Sequence, residues 1–260
     1  MVPCSKLKVI VGIPAYNEQA TIAAVVRGAA PHAAAVVVVD DGSRDRTAWQ
    51  ALHAGARVMR HRHNAGKGAA VATLFRYAVE QGADALVLLD GDGQHDPEQI
   101  REVVGPVLAG QADVVIGSRF LAQRSAIPRH RALGQRAFNL MTALASGVPC
   151  TDSQSGFRAF GRRALRTMRM AETTFSVECE QQFECALHGL RLVEVPISCR
   201  YDLPEKRSAY VQGLEVLSRL CVLSVRRRVL RQAPLSGSPR GEVLTPAHSE
   251  FLPAVALGAD

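Results

Sequence analysis

The segment ALVLLDGDGQHDP (residues 85–97) ends an apolar run on two carboxylates. The run predicts a buried strand, and Asp90 and Asp92 follow it with Gly91 between them. Residues i and i+2 of an extended chain point the same way, so the two carboxylates can share one cation. Hard oxygen ligands suit Mg²⁺ or Mn²⁺, and such sites are usually completed by substrate phosphates and water. A helix cap is the competing interpretation, and it explains Asp96 but not the pair.

The sequence around this segment alternates strand-like and helix-like stretches. We predict strands at 8–14, 35–41, 56–61, 85–90 and 113–118, and helices at 18–27, 45–53, 67–82 and 97–110. Beyond them we predict helices near 134–146 and 176–189, a polar turn at 151–160 and a strand at 190–197. Apolar strands that each precede a helix indicate an α/β fold with a parallel sheet covered on both faces. Ligands of such sheets bind at the carboxyl ends of the strands, where the acidic residues lie.

The composition is that of a globular protein with a basic bias. The chain has 260 residues, of which 47% are hydrophobic and 21% charged, and its formal net charge is +7. This charge favours an anionic partner such as a phosphate-bearing substrate or an acidic membrane surface. The six cysteines form no C-x-x-C pair, so we expect reduced thiols in a cytoplasmic protein. We find neither a signal peptide nor a run of about 18 apolar residues that could span a bilayer.

Two further segments carry polar residues at the predicted ligand edge. VDDGS (39–43) ends the second strand on Asp40 and Asp41, and a carboxylate there commonly binds a nucleoside. NAGKG (64–68) places Lys67 at a helix start, where the ammonium and backbone N–H groups can face a diphosphate. It is not a Walker loop, and no G-x-G-x-x-G follows the first strand, so a nicotinamide enzyme is not expected.

Six motifs together give the chain a family resemblance. They are PAYNE (14–18), VDDGS (39–43), NAGKG (64–68), LDGDGQHDP (89–97), DVVIGSRF (113–120) and SQSGFRAF (153–160). In this order and spacing they resemble inverting family 2 glycosyltransferases of the GT-A fold, close to the dolichol-phosphate and polyprenyl-phosphate mannosyl- and glucosyltransferases. The resemblance covers about residues 7 to 202. It implies a Rossmann-like, three-layer fold with a mixed, mainly parallel sheet.

The resemblance also implies a donor site for a UDP- or GDP-linked sugar. The residues that would hold the nucleotide-sugar are Pro14, Tyr16, Glu18, Asp40, Lys67, Asp90 and Gly91. The metal, Mg²⁺ or Mn²⁺, would be bound by Asp90, Asp92 and Gln94.

On the acceptor side the resemblance implies a polyprenyl phosphate. The implied acceptor residues are Arg119, Arg131, Ser155, Arg158 and Glu178. Asp92, Asp152, Arg119 and Arg131 are the implied catalytic residues. A phosphate acceptor is largely ionised at neutral pH and is its own nucleophile, whereas a hydroxyl acceptor needs a base, for which Asp152 is the candidate.

The chain beyond the catalytic region, which we place at 1–210, is predicted to contain two parts. Residues 211–232 form an amphipathic, basic helix, and 233–260 a mostly disordered tail. The helix either lies on an anionic membrane surface or packs on protein, including the partner of a homodimer. The expected location is cytoplasmic, peripheral to the membrane if the helix binds it, and no nucleic acid is expected as a partner.

Three alternative functions stay open on the sequence. The first is a transferase of the same fold that acts on a soluble or polymer hydroxyl, and the second is a non-catalytic nucleotide-binding module. A haloacid-dehalogenase-type phosphatase is the third. It also uses D-x-D, but on the first strand of the fold, whereas here the motif follows the fourth.

Overall fold

A seven-stranded sheet organises the fold, which we describe from a computed structural model. The described residues are 7–121, 129–171 and 177–200, with only the backbone described for 129–137. The strands are β1 (Val9–Ala15), β2 (Ala35–Asp40), β3 (Arg57–Arg60), β4 (Ala85–Leu88), β5 (Val114–Ser118), β6 (Arg158–Gly161) and β7 (Leu192–Pro196). The helices are α1 (Ile22–Ala29), α2 (Thr47–His53), α3 (Lys67–Glu80), α4 (Ile100–Leu108), α5 (Arg129–Ser146), α6 (Arg162–Thr167) and α7 (Val177–His188).

The strand order is β3-β2-β1-β4-β6-β5-β7. All pairings are parallel except the two made by β6, which runs antiparallel to both β4 and β5. The order steps outward from β1 to β2 and β3 on one side, and from β1 to β4 on the other. The carboxyl ends of β1, β2 and β4 therefore meet at one edge of the sheet, as the sequence predicts for a ligand crevice.

Two apolar layers cover the sheet because successive strand residues face opposite sides. Val11 and Ile13 of β1 pack in one buried cluster with residues of α1 and α4. Ile10, which precedes Val11 in the strand, belongs to the other buried cluster, together with Leu74 of α3. The central strands β1, β2, β4 and β5 are thus mostly apolar on both faces, which is why they read as continuous hydrophobic runs. The three-layer α/β prediction is confirmed.

One prediction is corrected at the antiparallel strand β6, which helix α6 follows. The sequence pattern assigns residues 151–160 to a polar turn, whereas the structure ends that turn at β6, in the middle of the sheet. Ala159 and Phe160 are fully buried. The strand was missed because it is four residues long and begins on an arginine, which a periodicity argument takes for a loop.

The other predicted elements lie within a few residues of their observed ends. The segment predicted as a helix at 97–110 begins as a 3-10 turn over Pro97–Gln99, with Asp96 as its N-cap, before α4 starts at Ile100. The predicted helix 211–232 and tail 233–260 lie outside the described residues, so the proposed division of the chain stays a prediction. Among the described helices, none is long and apolar enough to cross a membrane.

Candidate active site

The acidic loop, residues 89–96 after β4, forms the centre of the site. Leu89 still bonds to β1 through its N–H to the Gly12 carbonyl, and the chain then turns at Gly91. Thr21 at the start of α1 holds the turn by donating its hydroxyl to the Gly91 carbonyl at 2.7 Å. A β-carbon at Gly91 would crowd side chains from β1 and α1 at 3.3–3.4 Å. Glycine therefore lets the acidic loop lie against the end of β1.

Asp90 and Asp92 have opposite electrostatic environments. Burial raises the pKa of Asp90, but attraction to Lys67 and other nearby positive groups, together with a hydrogen bond from Lys67, outweighs burial and lowers it overall. Burial, and then the charge of Asp90, raise the pKa of Asp92 to about 6, although a hydrogen bond from the Gln94 N–H at 3.0 Å and the charge of Lys67 both lower it. Two carboxylates that disfavour each other's charge gain most from a shared cation. The pair therefore fits a divalent ion.

Lys67, the first residue of α3, joins the donor side of the site to α7. Its Nζ lies 2.7 Å from Asp90 Oδ1 and 2.7 Å from Glu178 Oε1. Burial lowers the pKa of Lys67, but attraction to Asp90 and Glu178 outweighs burial and raises it. The structure thus places the predicted diphosphate lysine at the acidic loop, with its ammonium shared between two carboxylates.

The ends of β1 and β2 form the predicted nucleoside side. Pro14, Tyr16 and Glu18 are partly exposed there. Asp40 is fully buried: its carboxylate accepts the Ser43 N–H at 3.0 Å and lies 3.0 Å from Arg60 Nε. Asp40 has protein partners, and its predicted contact with a nucleoside stays a prediction.

The end of β5 presents an arginine held in a fixed orientation. Arg119 donates from Nε and from an Nη to the two oxygens of Asp152, at 2.7 Å and 2.8 Å, and its N–H donates to the same carboxylate at 3.1 Å. Asp152 is fully buried. A carboxylate with both oxygens on a guanidinium fits a residue that positions Arg119, and the geometry gives no support to Asp152 as a general base.

Arg158 serves the turn that precedes β6. Its guanidinium is buried and donates to the carbonyls of Ser153, Ser155 and Glu178 and to Gln181. Every nitrogen of its guanidinium therefore bonds to the protein, and its predicted place on the acceptor side stays a prediction. Ser155 is buried as well. Both residues make contacts within the turn that contains Gly156.

That turn meets the acidic loop directly. A β-carbon at Gly156 would lie 2.8 Å from the carboxyl carbon of Asp90 and closer still to one of its oxygens. The predicted acceptor turn and the predicted metal residue are therefore in contact, as one site requires. Arg131, the remaining predicted acceptor residue, lies in the first turn of α5, and its side chain is outside the described part.

The comparison with known families agrees with this arrangement. The family model described as glycosyl transferase family 2 matches residues 10–169, which include β2 to β6, all but the first residue of β1, and the whole acidic loop. The chain belongs to glycosyl transferase family 2. The resemblance stated from the sequence is thereby confirmed, and so is the assignment of the protein as a glycosyltransferase.

Two family 2 relatives have names that state a lipid acceptor. The UDP-N-acetylglucosamine–dolichyl-phosphate N-acetylglucosaminyltransferase of Methanococcus voltae is 30% identical over 82% of this chain and 94% of that protein. The undecaprenyl-phosphate mannosyltransferase of Micrococcus luteus is 32% identical over 74% of this chain and 83% of that protein. The chain is thus similar, over most of its length, to transferases named for polyprenyl phosphates.

The solved structures confirm the GT-A fold. Glucosyl-3-phosphoglycerate synthase from Mycobacterium tuberculosis, in complex with Mn²⁺, UDP and phosphoglyceric acid, matches with a TM-score of 0.65 at 24% identity. The match covers 85% of this chain and 78% of that one. A complex of the same enzyme with Mg²⁺ and UDP matches with a TM-score of 0.66 at 23% identity. At this identity the likeness concerns the fold.

The residues present fit a metal that takes part of its coordination from substrate. Among the described residues, no group of three or more His, Cys, Asp or Glu side chains forms a metal cage. Asp90 and Asp92 offer two hard ligands, and Mg²⁺ and Mn²⁺ sites of this kind draw the rest from phosphate and water. Gln94 lies beside them, and its backbone carbonyl accepts the backbone N–H of Arg200 at 2.9 Å.

Sequence reasoning gave no role to His95, which the structure buries beside the acidic loop. Burial lowers its pKa to about 4, so the imidazole is neutral at neutral pH. Its ring centroid lies 5.4 Å from that of Phe157, next to Gly156 in the acceptor turn. Its position in the motif GQHDP was the available signal. The histidine thus packs between the acidic loop and the acceptor turn.

Proposed function

We propose that this protein transfers a sugar, with inversion, from a UDP- or GDP-linked donor to a polyprenyl phosphate, and that it does so with Mg²⁺ or Mn²⁺. The observation that carries the proposal is the contact of Gly156 with Asp90. It brings the residues expected to bind the donor diphosphate to the turn expected to bind the acceptor. The names of the two lipid-phosphate transferases support the acceptor class.

On the donor side, the partly exposed Tyr16 and Glu18 and the buried Asp40 would hold the nucleoside at the ends of β1 and β2. Asp90, Asp92 and Gln94 would hold the metal, with Lys67 adjacent. A bound divalent ion would act as a Lewis acid that neutralises the charge on the departing nucleoside diphosphate, an effect worth several kcal/mol. The raised pKa of Asp92, about 6, means that at neutral pH this carboxylate is available as a ligand.

On the acceptor side, Arg119 would bind the acceptor phosphate, and Asp152 would keep its guanidinium oriented. Arg131 would add a second positive charge from the start of α5. A lipid phosphate is largely dianionic at neutral pH, because its second pKa is about 6, so it needs no base to become a nucleophile. Positioning of the phosphate oxygen in line with the leaving group is then the main task of these residues.

The alternative is a transferase of the same fold with a soluble or polymer hydroxyl acceptor. Glucosyl-3-phosphoglycerate synthase shares the fold and leaves this alternative open. A hydroxyl acceptor requires a general base, and the predicted base, Asp152, has both oxygens on Arg119. This geometry favours the phosphate acceptor.

The donor and the acceptor can be tested in one experiment. Thermal-shift measurements with UDP- and GDP-sugars and Mn²⁺ identify the donor, because a ligand that binds only the folded protein raises its stability. The chosen donor is then offered with a short polyprenyl phosphate or with 3-phosphoglycerate, and products are analysed by mass spectrometry. The proposal expects a polyprenyl-phosphate sugar. Transfer to 3-phosphoglycerate alone would replace the proposed acceptor by the soluble one.

We also propose that the protein works at the cytoplasmic membrane surface through its basic segment 211–232. Support comes from the charge of that segment and from the lipid acceptors in the names of relatives. Flotation with anionic and neutral vesicles tests it. We expect the full chain to bind anionic vesicles and the chain without residues 211–260 not to bind them. Equal recovery of these two proteins in the unbound fraction would reject the proposal.

A further inference from the structure

A buried carboxylate at the end of β2 holds the loop that leads into α3. Asp41 is 3% exposed, and its carboxylate has three close polar partners. Its Oδ1 lies 2.6 Å from His61 Nδ1 and accepts the Ala65 N–H at 3.0 Å, and its Oδ2 accepts the Gly66 N–H at 2.7 Å. Buried carboxylates are stable only when their oxygens are satisfied in this way. One side chain thus anchors both ends of the loop 61–66.

The imidazole of His61 extends this anchor to α3. His61 is itself buried, and its Nε2 lies 3.1 Å from the hydroxyl of Thr73, on the second turn of that helix. The His61 N–H donates to the Asp40 carbonyl at 2.9 Å, which continues the pairing of β3 with β2. Backbone and side chain therefore hold the ring in one place. It connects the sheet edge to the helix.

Close backbone packing joins the same two segments independently. Gly42 has φ +70°, and a β-carbon there would lie 2.6 Å from the His63 carbonyl carbon and 2.8 Å from the Asn64 nitrogen. The loop therefore lies directly against the residue after Asp41. The close contact at Gly42 prevents the two segments from coming nearer to each other. The hydrogen bonds to Asp41 keep the loop from moving away.

The loop ends at Gly66, and Lys67 follows it with its ammonium at Asp90 and Glu178. We propose that Asp41 and His61 are positioning residues for donor binding. They fix the backbone N–H groups at the start of α3 and the position of Lys67 relative to the acidic loop. Neither residue touches a reacting atom. The inference rests on the proposed function, because it assigns these residues to the diphosphate side of that site.

The test compares His61→Ala, the conservative His61→Asn and the control His63→Ala, an exposed histidine of the same loop. An asparagine amide can replace the imidazole Nδ1–H as a donor to Asp41. Two quantities are measured in each: amide exchange at Ala65 and Gly66 without ligand, and the Kd of UDP and GDP with Mn²⁺. His61→Ala should speed the exchange and weaken nucleotide binding about ten-fold, the effect of about one hydrogen bond. His61→Asn should recover most of both, and His63→Ala should change neither.

Steady-state kinetics separate positioning from simple loss of stability. In His61→Ala the donor KM should rise about ten-fold while kcat falls much less, since uniform binding is what is lost. A lower melting temperature with unchanged nucleotide affinity and unchanged exchange at Ala65 and Gly66 would overturn the inference. If His61→Ala does not fold, Thr73→Val replaces it, because it leaves the His61–Asp41 contact in place and removes only the hydroxyl that contacts His61 Nε2 and the Ala69 carbonyl, and the same readouts decide.

The proposed function can fail separately. If the wild-type protein binds neither nucleotide, the donor site is wrong and the positioning role falls with it. If the wild-type protein binds one nucleotide and His61→Ala binds it equally well, the proposed function stands and only the role of His61 and Asp41 is refuted.

Discussion

Gly156 lies against the carboxylate of Asp90, so close that a β-carbon at position 156 would be 2.8 Å from the Asp90 carboxyl carbon. Asp90 cannot retreat freely, because its other oxygen lies 2.7 Å from the ammonium of Lys67. The turn before β6 therefore packs directly against the loop after β4, at the carboxylate of Asp90. This contact joins the two halves of the proposed site.

Gly156→Ala should disrupt the metal residues without unfolding the protein. The added methyl group requires Asp90 to rotate away from Lys67, so we expect Mn²⁺ affinity to fall about ten-fold or more, the equivalent of at least one strong contact. Electron paramagnetic resonance of free Mn²⁺ measures this affinity. Gly105→Ala, on α4 with no neighbouring atom within 4 Å, is the control and should keep wild-type affinity. Equal affinity in both variants would show that the turn does not constrain Asp90.

Lys67→Met should destabilise the fold through the carboxylates that it leaves behind. Removing the ammonium leaves the buried Glu178 and the partly buried Asp90 without their shared cation, at a cost on the order of 3 kcal/mol in urea denaturation. Adding Glu178→Gln should recover part of this loss, because one unpaired charge is removed. Arg27→Met, at an exposed arginine of α1, should cost less than about 0.5 kcal/mol. Additive losses in the double variant would mean that the two residues are not coupled.

Mn²⁺ binding should weaken as the pH falls through about 6. The pKa of Asp92 is raised to about 6, so a proton competes with the ion below that value. One competing proton predicts affinity about ten-fold weaker at pH 5 than at neutral pH. Because the folded pKa lies above the unfolded one, this group also costs the metal-free fold stability as pH rises from about 4 to 6. Titration of Mn²⁺ at several pH values checks the slope, and Asp92→Asn should abolish this component.

Asp152→Asn should impair acceptor binding more than chemistry. Loss of the paired oxygens frees Arg119 to rotate, so the KM for polyprenyl phosphate should rise about ten-fold with a smaller change in kcat. Asp113→Asn, which weakens the contacts of a buried aspartate with two exposed arginines just before β5, far from Arg119, should leave that KM unchanged. A general base would behave differently: kcat would fall by about 10²–10⁴ and its pH profile would lose a limb.

The sequence predicts the parallel part of the sheet well because those strands are apolar on both faces. β1, β2 and β4 lie in apolar runs, and polar residues follow each run or end it, and both features are visible without a structure. β6 is different, since it begins on Arg158, whose charge is tolerated in the interior only through bonds to groups distant in the chain. Such tertiary compensation cannot be read from local periodicity.

The site was predictable in its acidic part and less so in its arginines. Asp90 and Asp92 lie two residues apart directly after an apolar run, so their place at a strand end can be predicted from the sequence. Arg119 and Arg158 both read as anion ligands, but their partners Asp152 and Gln181 are brought to them by the fold. Only the structure distinguishes an arginine held at the edge of the site from one committed to the interior.

The role of the acidic pair in sugar transfer is tested most directly by the initial rate of Mn²⁺-dependent transfer to a polyprenyl phosphate. It is measured for the wild-type protein, for Asp92→Asn and for Asp96→Asn. Asp96 caps the next helical segment by accepting the Glu98 N–H at 3.1 Å, and asparagine caps equally well. We predict a rate at least about a hundred-fold lower in Asp92→Asn, the loss expected for a metal ligand, and a wild-type rate in Asp96→Asn. A wild-type rate in Asp92→Asn, or equal transfer by the wild-type protein with a chelator present, would contradict the account.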